Sequence, residues 1–189
     1  MKIIITRHGE TEGNKADIVQ GHLHGVLSEL GKEQAGKLAE RLKDEKIDLI
    51  ISSDLNRAHD TAKAIAKYHP GVKLITDERL RERHLGRFQG KSRSIIDWNN
   101  LPGDVETREK MQTRILELLN ETLKKYHGET VVFVAHAGIN NALIKKILQE
   151  KPDADLNWRD QDNTCVNILD VDKDGKIEIK LLNCTEHLG

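Results

Sequence analysis

Five residues able to do chemistry stand at or just beyond the ends of predicted strands. Arg7 and His8 follow the apolar run Ile3-Ile4-Ile5, and Arg57 comes shortly after Leu49-Ile50-Ile51. Glu82 lies beyond Val72 to Ile75, and His136 closes Thr130 to Ala135. In open α/β sheets the ligand crevice lies outside the carboxyl ends of the strands, so such residues face a common edge. Two guanidiniums with imidazoles suit a phosphate dianion, because each planar fork bonds phosphate oxygens in pairs. A carboxylate beside them would be repelled by that phosphate if ionised, which makes Glu82 a reasonable proton carrier to a leaving group. Gly9, directly after His8, lets the backbone turn sharply or approach a ligand closely.

The elements needed to hold these residues can be read in turn. Ser28 reads as the N-cap of a helix to about Lys43, with Ala35, Leu38, Ala39 and Leu42 on one face. Ser52-Ser53-Asp54 reads as an N-cap cluster for a second helix, with Arg57 in its first turn and Ala58, Ala62, Ile65 and Ala66 facing inward; Pro70-Gly71 ends it. Glu78 to Asn100 is irregular and carries Arg79, Arg81, Arg83, His84, Arg87, Lys91 and Arg93, which form either a solvated basic surface or a site for a second anionic group. A long helix is predicted from about Glu106 to Tyr126, with Met111, Ile115, Leu118 and Leu119 at helical spacing, stopped near Gly128. A further helix runs from Ile139 to about Leu148, and Cys165 to Val171 and Lys176 to Leu182 form a hairpin around Asp172-Lys173-Asp174-Gly175. Strands alternating with helices predict an α/β fold, a three-layer α/β/α sandwich with a mostly parallel central sheet, in a single domain spanning 1–189.

Composition narrows the function classes. With 37% hydrophobic and 32% charged residues the chain can bury a full core, and its net charge of -1 gives no general attraction to nucleic acid or anionic membranes. No apolar run approaches the ~20 residues that span a bilayer, and Ile3 to Ile5 is too short for a signal peptide. A cytoplasmic protein is expected, with Cys165 and Cys184 reduced, buried and inert. The aromatics Trp98, Trp158, Tyr68, Tyr126, Phe88 and Phe133 mark no interface stripe, and the last two strands either pair between subunits or complete the sheet edge, so no oligomeric state follows. Three motifs are set aside. Gly86 to Ser92 has three residues between its glycines where a P-loop needs four. Asp170-x-Asp172-x-Asp174-Gly175 begins like an EF-hand loop but has Leu181 in place of the bidentate glutamate, and strands flank it. His22-x-His24 lacks further ligands to complete a metal site and reads as an exposed loop over the pocket.

Arg7-His8-Gly9-Glu10-Thr11, with Asn14, resembles the RHGxTxxN signature of the histidine phosphatase superfamily, also called phosphoglycerate mutase-like. Ser52-Ser53-Asp54-Leu55-x-Arg57-Ala58, Leu80-Arg81-Glu82-Arg83, Glu106-Thr107, Val134-Ala135-His136-Ala137-Gly138 and the closing Leu182 to Leu188 are similar to its later motifs, in the family's order and through essentially the whole chain. By layout alone His136 could equally be the nucleophile. The resemblance assigns that role to His8, which would form a phosphohistidine, and makes Glu82 the proton donor and then the base for water. It implies that Arg7, Arg57, His136, Asn14 and the backbone at Ala137 hold the phosphoryl group, without metal or cofactor. Gln20 to Leu27 departs from the family, where relatives carry an acidic residue and a proline, so loop contacts do not transfer. Only about two dozen residues separate Glu82 from the long helix, where true mutases carry a longer insertion that shields the phosphoenzyme. Hydrolysis of a small phosphomonoester or sugar bisphosphate is therefore expected. The alternatives are a cofactor-dependent phosphoglycerate mutase and a non-catalytic phospho-ligand binder.

Overall fold

A computed structural model describes residues 1–149 and 161–189; Trp158 lies outside the described residues. Six strands make one sheet: β1 (Lys2–Arg7), β2 (Leu49–Ser52), β3 (Lys73–Thr76), β4 (Thr130–Ala135), β5 (Val166–Val171) and β6 (Ile177–Cys184), in the order β3-β2-β4-β1-β5-β6. The first four are parallel, while β5 runs antiparallel to β1 and β6 antiparallel to β5. The last hairpin thus completes the sheet edge of its own chain. The register Arg7↔Ala135 and Ser52↔Val134 ends β1, β4 and β2 at nearly one level, which places His8, Ser53 and His136 side by side.

The helices are α1 (Glu12–Lys15), α2 (Glu29–Leu42), α3 (Asn56–Ala66), α4 (Arg108–Lys125) and α5 (Ala137–Gln149). Period-two alternation divides the core between two faces. Ile3, Ile5, Ile51, Val131 and Phe133 pack with Met111, Ile115, Leu118 and Leu119 of α4 and Ile139 and Leu143 of α5. Ile4, Ile50, Val132 and Val134 pack with Leu38 and Leu42 of α2 and Ala58, Ala62 and Ile65 of α3. Strands covered on both faces must be apolar at every position, hence the unbroken runs seen in the sequence.

Some boundaries differ from expectation. Helix α1 was not anticipated. The N-cap of α3 is Leu55, with no side-chain cap bond, because Ser53 and Asp54 are taken by tertiary partners. Helix α4 begins at Arg108, capped by Thr107, and α5 begins at Ala137 rather than Ile139. Cys165 is buried, and that burial pushes its thiol up to about 12; Cys184 is only half-buried, with Arg41 Nη2 at 3.8 Å from its sulfur. The segment after β3 is irregular but well tied, and Val19, Leu85, Ile96 and Val105 form a small apolar cluster beneath it. Asp172 Oδ1 accepts from the N–H groups of Asp174 and Lys176, which closes the β5–β6 hairpin turn.

Candidate active site

At the end of β1 the His8 N–H continues the ladder to Ala135 O at 3.1 Å, and the Gly9 N–H donates to Thr61 Oγ1 at 3.1 Å. These bonds turn the chain so that the buried imidazole can donate from Nδ1 to its neighbour's carbonyl, Gly9 O, at 2.7 Å. With the proton fixed on Nδ1, Nε2 carries the lone pair. Nε2 faces Arg57, whose Nε–H donates to it at 3.3 Å. Burial first, then the Arg57 and Arg7 guanidiniums, hold the His8 pKa well below the ordinary histidine value, so the ring is neutral.

Arg57 is 1% exposed and reaches from the first turn of α3. Besides His8 it donates from Nη1 to Leu23 O and His24 O and from Nη2 to Gly21 O at 2.8 Å. It ties the Nε2 face of His8 to the loop above it, and four of its five N–H groups are engaged. Burial, the largest influence, brings its pKa down to about 10. Arg7 donates from Nη1 to Gln161 O at 2.7 Å, and its carbonyl accepts from the Thr164 N–H at 3.1 Å. Asn163 Nδ2 donates to His8 O at 2.9 Å. This bracing turn holds Thr164 at φ 55°, a left-handed conformation that costs a β-branched residue about 1–3 kcal/mol.

His136 ends β4, fully buried, its ring 5.1 Å from that of His8 at 61°. Its Nε2 lies 2.9 Å from Ser53 Oγ, which also accepts from the Leu55 N–H at 3.3 Å. The serine hydroxyl thus anchors the ring through Nε2, while Nδ1 has no partner among the described residues. Burial, then Arg57, His8 and Arg7, hold this pKa well below normal too. Ala137 is the first residue of α5, where backbone N–H groups lack intrahelical acceptors. The next N–H, of Gly138, donates to Glu82 Oε2 at 3.0 Å, and Glu82 Oε1 accepts from the Arg83 N–H at 2.8 Å. A Cβ on Gly138 would lie 2.2 Å from Glu82 Oε1, so only glycine allows this approach.

The structure thus brings Arg7, His8, Arg57, Glu82, His136 and Ala137 to one edge. Asn14 stands apart: its Oδ1 accepts from Thr11 N–H at 3.1 Å and Thr11 Oγ1 at 2.8 Å in a capping box, and none of its described hydrogen bonds reaches the other site residues. Most of the basic run is spent on ion pairs, Arg79 with Asp77 and Glu121, Arg81 with Asp54, Arg87 with Asp104 and Arg93 with Asp17, which favours the paired surface over a second anion site. His22 is tied to the Glu82 main chain through Nε2, which donates to Glu82 O at 2.8 Å, and the helical turn Gly86–Phe88 packs on Asp104. Sequence reasoning missed Ser53, Thr61, Asn163 and Arg114. The four-residue spacing from Arg57 to Thr61 on α3 was the one available signal. Among the described residues no group of three or more His, Cys, Asp or Glu is arranged for a metal ion, and no helix is long and apolar enough to cross a membrane.

Comparison with known proteins agrees with this geometry. Residues 3–185 match the model of the histidine phosphatase superfamily, branch 1. The chain is 34% identical over 206 residues to phosphoglycerate mutase-like protein 4 of Arabidopsis thaliana, covering 99% of this chain and 86% of that protein. It is 35% identical over 206 residues to a metal-independent phosphoserine phosphatase of the same plant, covering 100% and 83%. Among solved structures, Bacillus stearothermophilus YhfR superposes with a TM-score of 0.91 at 28% identity, covering 100% and 99%. The chain belongs to the histidine phosphatase superfamily, in its branch 1, as a phosphoglycerate mutase-like phosphatase.

Proposed function

We propose that the protein hydrolyses small phosphomonoesters through a phosphohistidine on His8. The observation that carries this reading is the Nδ1–H bond of His8 to Gly9 O, which leaves a neutral Nε2 lone pair beside the Arg57 guanidinium. In the first step Nε2 attacks phosphorus as the bond to the leaving oxygen breaks, and Glu82 delivers a proton to that oxygen. In the second, Glu82 takes a proton from water, which attacks phosphorus and returns the lone pair to Nε2. Arg7, His136 and the Ala137 N–H stabilise the equatorial oxygens. Arg57 gives up its bond to Nε2 as phosphorus arrives and turns that N–H to a phosphoryl oxygen. Asn14 serves this site by fixing the turn after Thr11. Phosphoserine and phosphorylated sugars are the first substrates to try, the phosphoserine phosphatase relative supporting the former. The one sheet shared by all six strands supports a single-domain enzyme, the net charge and the paired arginines support one without nucleic-acid or membrane partners, and the two unpaired cysteines support a cytoplasmic one.

Phosphate release over a panel of phosphomonoesters and bisphosphates, with chelator present, tests the reading. Wild type is expected to turn over without metal and to yield an acid-labile, alkali-stable phosphoenzyme on quenching, both lost in His8→Ala. Transfer between 2- and 3-phosphoglycerate without release would establish a mutase instead, and neither activity would leave a binding module.

A further inference from the structure

The catalytic carboxyl sits at the end of a chain of contacts that begins on the far side of the pocket wall. Arg114 of α4 and Glu106, just before that helix, form a largely buried pair, their side chains 17% and 13% exposed. Arg114 Nε donates to Glu106 Oε1 at 2.8 Å and Nη2 to Oε2 at 3.0 Å. The remaining N–H groups all go to main-chain carbonyls: Nη1 to Arg79 O at 2.6 Å and Arg81 O at 2.7 Å, Nη2 to Glu82 O at 3.0 Å. Glu106 Oε2 also accepts from the His84 N–H at 3.0 Å. All five donors of the guanidinium are therefore assigned, four of the five contacts at 2.8 Å or less or to the partner carboxylate. A lysine, with three donors on one atom, cannot reproduce this fork.

The peptide joining Glu82 to Arg83 receives the result. Its oxygen accepts from Arg114 and, from the loop above, His22 Nε2 at 2.8 Å. Its N–H points the opposite way because the peptide unit is planar. That N–H is the one that holds Glu82 Oε1 at 2.8 Å. Fixing the carbonyl thus fixes the donor that orients the carboxyl, while Gly138 holds the other oxygen. A buried ion pair contributes little net stability when compared with apolar packing, so its geometry is the better account of its presence.

We propose that Arg114, oriented by Glu106 and assisted by His22, is a positioning residue for the proton transfer performed by Glu82. The proposal rests on Glu82 being the general acid, and the test separates the two. Wild type, Glu82→Gln, Arg114→Lys and His22→Ala are compared by kcat/KM over aryl and alkyl phosphates of rising leaving-group pKa, a quantity that reports the step in which the leaving group departs. Glu82→Gln is expected to lose activity steeply with poorer leaving groups. Arg114→Lys should show the same slope in weaker form, losing about tenfold to a hundredfold on alkyl phosphates and less than about threefold on p-nitrophenyl phosphate. His22→Ala should deviate in the same direction by a smaller factor. Should Arg114→Lys fail to fold, as judged by its thermal transition, His22→Ala decides, since it removes a donor from the same carbonyl through a half-exposed loop. Equal losses on every substrate, or no loss at all in folded variants, would overturn the positioning role while leaving Glu82 as the acid. A flat leaving-group dependence in Glu82→Gln would instead remove the acid, and the proposal with it.

Discussion

At the scale of single residues the site is defined by two imidazoles that the fold keeps uncharged. His8 and His136 both titrate well below the usual histidine range, through burial first and nearby guanidiniums second. In the unfolded chain each takes up a proton near pH ~6.5. Between that value and the lower folded ones the unfolded state binds more protons, so stability rises with pH across the window. Their neutral burial is fully tolerated above about pH 6.5 and costs stability progressively as pH falls below it. The melting temperature is therefore expected to drop between about pH 7.5 and 5.5, and to drop less steeply in His136→Asn. Gly138 makes a second prediction. Its missing Cβ is space taken by Glu82 Oε1, so Gly138→Ala should lower kcat/KM on alkyl phosphates by about tenfold or more. Inhibition by inorganic phosphate, which needs the cations and not the acid, should be retained.

At the scale of elements, helix α2 is seated against the turn that follows His8. Ser28 caps it, accepting from the Gly31 N–H at 3.0 Å and donating to Glu10 Oε1 at 2.6 Å. A Cβ on Gly31 would lie 1.9 Å from Glu10 O, and one on Gly9 would lie 2.3 Å from Gly31 O, so the two backbones meet glycine to glycine. Chemical denaturation should show Ser28→Ala losing about 1–2 kcal/mol. Gly31→Ala should lose about 1–3 kcal/mol and also activity, because it displaces the His8 to Glu10 turn. The cap at Ser28 was legible because its hydroxyl can accept from the Gly31 N–H while donating to Glu10, so the tertiary partner does not displace the cap. Ser53 and Asp54 looked equivalent in sequence, yet one is drawn to His136 and the other to Arg81, neither of which is near in the chain. At Asn14 a capping box with Thr11 engages the side-chain oxygen, a local role that the spacing from His8 did not reveal. The β1, β2 and β4 runs could be read directly, since burial on both faces leaves no polar position to confuse them.

At the scale of the whole molecule, the central strands carry both the core and the site. Phe133 lies fully buried midway along β4, between Ile5 of β1 and Ile51 of β2. Phe133→Ala is expected to cost about 3–5 kcal/mol in denaturant titrations and to loosen the strand end that bears His136. The strand ends that bear His8 and His136 thus continue directly from the core. The loop above them is attached differently. Arg57 grips the 21–24 loop through the carbonyls of Gly21, Leu23 and His24, groups that every amino acid possesses. The outward side chains in and just after it, Leu23 at 46% and Val26 at 67% exposure, are left out of that grip. Mutational drift in this loop can accordingly change what the mouth of the pocket admits without unfastening it, so descendants of one chemistry could diverge in diet while inheriting the same machinery.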